Sequence, residues 1–168
     1  MDKQEKLEQL RNYLTQTSTA FKGHAIAKFD TLILEQGTAF IESILAKTLK
    51  EASEWKKRRR PKSKECFYNA QMYRLTCEHG EYFEGYCYDS LIPVHHAWIV
   101  IDGKVVDFTL EARDRSLARQ KIESNSLDSV YIGVMVPKKT IMNNIVKYGV
   151  SEPVAYKHYL DPNIRFCP

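Results

Sequence analysis

An Asp-Gly pair inside an alternating run constrains this chain more than any other feature. The run reads His95-His96-Ala97-Trp98-Ile99-Val100-Ile101-Asp102-Gly103-Lys104-Val105-Val106-Asp107-Phe108-Thr109. Asp-Gly between alternating hydrophobic residues is the strongest short-range signal for a two-residue β-hairpin. With Asp102-Gly103 at the turn, Ile101 faces Lys104, Val100 faces Val105 and Trp98 faces Asp107. Every second residue returns to the same face, so His96, Trp98 and Val100 share one with Val105, Asp107 and Thr109. His96 and Asp107 become diagonal neighbours, roughly 7–8 Å apart at the backbone and within side-chain reach. His95 points the other way, and a one-residue slip would separate the pair.

Upstream, Lys64-Glu65-Cys66-Phe67-Tyr68-Asn69-Ala70 reads as the start of an amphipathic helix that carries a cysteine at its N-terminus. Unpaired N–H groups and the macrodipole stabilise a thiolate there. With an imidazole held by a carboxylate, the parts of a thiol nucleophile site are present. Cys66 attacks, His96 acts as base and then as acid, and Asp107 fixes the imidazole's tautomer and orientation. Each residue also has a bland reading. Cys66 is then a small buried apolar residue, His96 a satisfied core histidine, and Asp107 a loop-closing residue. Their order and shared parity favour the set over its separate members.

The same residues resemble a known family. Cys66-x-x-Asn69-Ala70 on a helix, then Tyr82-x-Glu84-Gly85, then His96-Ala97-Trp98, then Val105-Val106-Asp107-x-Thr109 is similar to the transglutaminase-like branch of the papain-like cysteine hydrolase superfamily. The resemblance spans Cys66 to Thr109. It implies a Cys-His-Asp triad at Cys66, His96 and Asp107, a helix packed on an antiparallel sheet, and amide hydrolysis or acyl transfer. Peptidase, amidase, glutamine deamidase and acyltransferase are equally consistent with it, and none requires a metal or organic cofactor. Papain-type enzymes carry an oxyanion-hole glutamine six residues before the cysteine, where this chain has Arg60. The Cys66 N–H then needs a second donor, and Trp55, Asn69 and Gln71 have suitable side chains. Trp98, Glu84 and Asn69 are the expected substrate-binding residues, Trp98 lining a slot or serving as a core aromatic.

With 168 residues, the chain is expected to form one α+β domain: a helical part over 1–60, a helix-plus-sheet core over 64–136, and a helix and tail over 137–168. No apolar run approaches the roughly 20 residues of a membrane span, and Met1-Asp2-Lys3-Gln4-Glu5-Lys6 lacks a signal-peptide core, so cytoplasmic residence is the expectation. The cysteines at 66, 77, 87 and 167 form no Cys-x-x-Cys pair and are read as free thiols. Cys77-Glu78-His79 has no second pair at zinc-site spacing, so no metal is expected.

The net charge of +4 is concentrated in Lys56-Lys57-Arg58-Arg59-Arg60-Pro61-Lys62-Ser63-Lys64. Cations suit a helix C-terminus, and a solvated helix end is one reading. The other is a surface for nucleic acid or an acidic protein, used by a binding protein whose triad is vestigial. On either reading, positive charge leading into Cys66 favours a thiolate.

Along the rest of the chain, Leu7, Leu10 and Leu14 mark a helix over 3–16, and Phe21, Ile26, Phe29 and Ile33 a looser helical stripe. Gly37-Thr38 reads as a helix start, with Phe40, Ile41, Ile44, Leu45 and Leu49 as its apolar face. A strand is expected over 82–88, with a bulge or close backbone approach at Glu84-Gly85. Residues 111–120 read as a loop or short exposed helix, Val130 to Val136 as a buried strand, Ile141 to Tyr148 as a helix, and Tyr156 to Pro168 as irregular surface structure.

Overall fold

The hairpin forms in the expected register. In the computed structural model, which describes residues 1–89, 92–149, 152–155 and 157, β3 (Val94–Ile101) and β4 (Lys104–Val106) pair Ile101 with Lys104, Val100 with Val105 and Ile99 with Val106. Asp102 and Gly103 carry φ of 50° and 76°, the left-handed pair that a type I′ turn needs and that Asp-Gly supplies at low cost.

The hairpin is one end of a five-stranded sheet of order β1-β5-β2-β3-β4. β2 (Glu81–Tyr88) lies antiparallel to β3, with Phe83 opposite Trp98 and Gly85 opposite His96. Its other edge pairs with β5 (Val130–Met135), placing Cys87 opposite Tyr131 and Gly85 opposite Gly133. β1 (Thr38–Phe40) adds to β5. The β2 register runs without a break through Glu84-Gly85, so there is no bulge. The close approach is real: a Cβ on Gly85 would strike the backbone of Ile132 and Gly133.

β1 corrects the helix expected from Gly37. Just after β1, Ile44 N donates to Val105 O at 2.8 Å and Val105 N to Glu42 O at 2.9 Å. Residues 38–44 therefore touch both edges of the sheet, β5 at one and β4 at the other, and curl it upon itself. This also removes two open edges, which otherwise expose unpaired N–H and C=O groups. The apolar spacing imitates a helix because Phe40 faces the inside of the curl whereas Ile41 and Ile44 pack on the outer core. The helix that follows is shorter, α3 (Lys50–Arg59), which is numbered after α1 (Lys3–Ala20) and α2 (Ala25–Gln36). The segment expected to be a helical part, 1–60, thus also contributes a strand.

Strand parity divides the apolar residues. Tyr82, Tyr86, Ala97, Ile99 and Ile132 face a layer of helices: α1 with Leu10 and Leu14, α2 with Phe29 and Ile33, and α4 (Cys66–Thr76) with Ala70 and Tyr73. The opposite parity places Phe40, Phe83, Cys87, Trp98, Val100, Val105 and Tyr131 in a second cluster, closed by Leu110. Leu110 comes from α5 (Phe108–Arg119), a helix with a buried first turn where a loop or exposed helix was expected. Trp55 of α3, Tyr73 of α4 and Phe108 of α5 meet with ring centroids 4.7–5.4 Å apart. Burying each such ring stabilises by about 1.5–3 kcal/mol, and the trio fixes α4 against α5. α6 (Lys138–Tyr148) closes the described core with Ile141. No helix among the described residues is long and apolar enough to cross a membrane. The expected tail from Tyr156 to Pro168 lies outside the described residues, save Lys157.

Candidate thiol active site

The end of β4 creates the site. Pairing with β3 stops at Val106, and the next residue, Asp107, becomes the N-cap of α5, its Oδ1 accepting from Thr109 N at 3.0 Å and Leu110 N at 2.9 Å. Residues 94–98 of β3 are left without a β4 partner. There His96 turns its Nε2 to within 2.6 Å of Asp107 Oδ2, and the Tyr131 hydroxyl donates to the same oxygen at 3.1 Å. One carboxylate oxygen holds a helix and the other holds an imidazole.

Both partners are buried, His96 at 4% exposure and Asp107 at 5%. Burial alone would drive the imidazole toward its neutral form. The adjacent Asp107 charge and its hydrogen bond outweigh that, with a further contribution from the Cys66 thiol, and push the His96 pKa up to about 10. Burial likewise opposes ionisation of Asp107, but the imidazolium, the helix N–H groups and Tyr131 hold its pKa below the usual carboxylate range. The buried Tyr131 phenol is pushed up by desolvation and then by the Asp107 charge, so it stays a neutral donor.

Nε2 is committed to Asp107, which leaves Nδ1 for the thiol. Cys66 is the first residue of α4, half-buried, and close enough to His96 to help raise its pKa. Glu65, the N-cap residue, makes no side-chain cap, so the first-turn amides of α4 have no side-chain acceptor there. The cysteine, histidine and aspartate expected from the sequence are brought together.

Family models, curated proteins and solved structures give no significant match.

The expected helpers of the three residues are placed differently. Asn69 is buried, and its Nδ2 donates at 2.8 Å to both Lys62 O and Thr109 Oγ1. It braces the loop before Cys66 against the turn that carries Asp107 and has no donor left for an oxyanion. Gln71 Nε2 donates to Glu152 O at 2.7 Å and Tyr82 OH at 3.4 Å. Trp55 Nε1 donates to Thr76 Oγ1 at 3.0 Å, at the far end of α4 from Cys66. These commitments correct all three as oxyanion donors.

Glu84 and Trp98 are corrected as substrate contacts. Glu84 pairs with Ala97 and so lies on the sheet face opposite His96. It is wholly buried, accepting from Tyr82 OH at 2.5 Å, Val154 N at 2.5 Å and Ala155 N at 2.7 Å. It anchors a distant backbone segment. Trp98, 1% exposed, fills the inside of the curl, stacked near-parallel on His96 at 6.4 Å and on Phe83 at 6.2 Å. Its core-aromatic reading prevails, and it serves as the wall behind the imidazole. Gly133 makes room for it, since a Cβ there would lie 2.5 Å from Trp98 Cη2.

His95 lies among Phe29, Phe67 and Tyr86 on the other face. Burial and then the His96 charge push its pKa down to about 4, leaving it neutral. Tyr131 was missed in the sequence, because its contact with Asp107 depends on β5 pairing with β2 across some forty residues. A cleft of about 810 Å³ between α3, the end of α4 and the β3–β4 turn contains none of the three site residues.

Proposed function

We propose that this protein is a cysteine-dependent hydrolase or acyltransferase that acts on amide or related acyl bonds through Cys66, His96 and Asp107, on a papain-like, transglutaminase-like arrangement. The observation that carries the proposal is the buried His96–Asp107 pair, with the Cys66 thiol close enough to act on it from a helix N-terminus that has no side-chain cap.

The chemistry follows from the geometry. In the reactive state the Cys66 proton resides on His96 as imidazolium, and the thiolate attacks the carbonyl carbon. The oxyanion is met by the Cys66 N–H and the neighbouring first-turn amides of α4 in place of a side-chain donor. The intermediate collapses as the imidazolium protonates the leaving amine, giving a thioester on Cys66. Water or an acceptor amine, deprotonated by His96, then releases the acyl group. Asp107 holds the charged ring throughout, and Tyr131 and the α5 amides hold Asp107.

An activated ester such as p-nitrophenyl acetate tests this directly. Intact-mass and peptide analysis should find the acetyl group on Cys66 during turnover, with no adduct in Cys66→Ser and release slowed about a hundredfold or more in His96→Gln. Acetylation spread over lysines, unaffected by either substitution, would contradict the proposal. It would favour the second reading, a binding protein acting through Lys56 to Lys64. The exposure of most of those cations supports that reading.

A further inference from the structure

The basic run behaves as two different things. Lys56 is drawn inward to an ion pair with the buried Glu111, whose Oε1 also accepts from Ala46 N at 2.7 Å. Lys57, Arg58, Arg59, Arg60, Lys62 and Lys64 are exposed. Among the described residues only Lys62 has a carboxylate nearby, Glu65 at 3.7 Å. Six exposed like charges raise one another's energy and are relieved by an anion.

These cations are held on a built loop. Arg60 ends α3 in the left-handed region at φ 49°, Lys64 repeats it at φ 68°, and Pro61 between them is buried. Asn69 fixes the loop through Lys62 O and reaches Thr109 with the same nitrogen, while Thr109 N is capped by Asp107. A short chain of hydrogen bonds therefore ties the loop to the carboxylate that holds His96. The loop ends two residues before Cys66.

Resting on the proposed thiol chemistry, we infer that residues 60–64 form the substrate-selecting rim of the Cys66 site and take an acidic polypeptide, with carboxylates flanking the amide that reaches the thiol. A polypeptide supplies the amide that the thiol needs. Single-stranded nucleic acid is held through aromatic platforms interleaved with charge, whereas residues 56–64 hold no aromatic side chain.

A fluorescein-labelled deca-glutamate peptide tests the rim on the full chain, with anisotropy for binding and peptide mass spectrometry for iodoacetamide modification of Cys66. A glycine-serine peptide and oligouridylate of equal length serve as controls. The rim predicts salt-sensitive binding of the glutamate peptide alone and slower Cys66 alkylation on binding. In Arg60→Gln/Lys62→Gln/Lys64→Gln both effects should shrink, with affinity falling roughly tenfold. Absence of binding, binding that leaves Cys66 alkylation unchanged, or preferential binding of oligouridylate each overturns the inference. Protection of Cys66 is read as a ratio with and without peptide in the wild type. It therefore tests the rim even if the thiol proves to be unactivated, a question settled by its dependence on His96.

Discussion

Asp107 shares its carboxylate between a helix and an imidazole: Oδ1 accepts from Thr109 and Leu110 of α5, and Oδ2 lies 2.6 Å from His96 Nε2. The two roles can be separated. Asparagine keeps an oxygen for the helix cap but removes the charge, so Asp107→Asn should remove the main force holding the His96 pKa near 10. Burial then dominates, and the imidazole should titrate below its ordinary value of about 6.5. Nitrogen-15 NMR of the histidine ring checks this. Asp107→Ala loses the cap as well and should be less stable than Asp107→Asn by about 0.5–2 kcal/mol in urea denaturation.

The two neighbouring histidines should give opposite pH signatures. His96 is raised to about 10, so its contribution to stability is complete below about pH 6.5 and fades as pH rises through 10. Asp107 is lowered, so its contribution is present above about pH 3.9 and fades on further acidification. His95 is lowered to about 4, so the unfolded chain binds the extra proton between about pH 6.5 and 4, and stability falls with acidification through that window. His95→Phe, set among aromatic rings, should therefore lose less stability than the wild type when pH is lowered from about 7.5 to 5. Thermal denaturation at the two pH values measures the difference.

Glu84 is predicted to matter for docking rather than for chemistry. It accepts two backbone amides, from Val154 and Ala155, inside the core. Glu84→Ala leaves those donors and the Tyr82 hydroxyl without their acceptor, costing about 2–4 kcal/mol. Limited proteolysis should then cut near residues 152–155 in the variant and spare the wild type. Cleavage elsewhere, with those residues still protected, would contradict the anchoring role.

Gly133 faces the Trp98 ring at a distance that admits no methyl group. Gly133→Ala should destabilise by about 1–3 kcal/mol, as overpacked cores do, and should alter tryptophan fluorescence. A neutral effect would contradict the close packing of Gly133 against Trp98 and the Glu84 backbone carbonyl.

The hairpin and the start of the cysteine helix were legible because their determinants are local. Asp102-Gly103 selects its turn by backbone preference, and the two-residue period then carries His96 and Asp107 to one face. Nothing comparable marks residues 38–44, whose burial comes from β5 and β4, far along the chain. Their apolar spacing mimics a helix while facing two different cores. Tyr131 and the anchoring of Glu84 were hidden for the same reason, since each depends on a partner that only the sheet order or the returning chain supplies. Asn69 carried the right residue type for an oxyanion donor. Its commitment to Lys62 and Thr109 depended on the meeting of α4 and α5.

The central claim is that His96 activates Cys66. Cys77 and Cys87 are internal controls, since burial raises both thiol pKa values, for Cys87 with help from the Asp107 charge. The decisive measurement is iodoacetamide modification of each cysteine against pH, by peptide mass spectrometry, in the wild type and in His96→Gln. The account predicts that Cys66 is modified much faster than the buried Cys77 and Cys87 of the same molecule. In His96→Gln that rate should fall by about tenfold or more. Modification of Cys66 no faster than that of Cys77 and Cys87, and unchanged by the substitution, would contradict it.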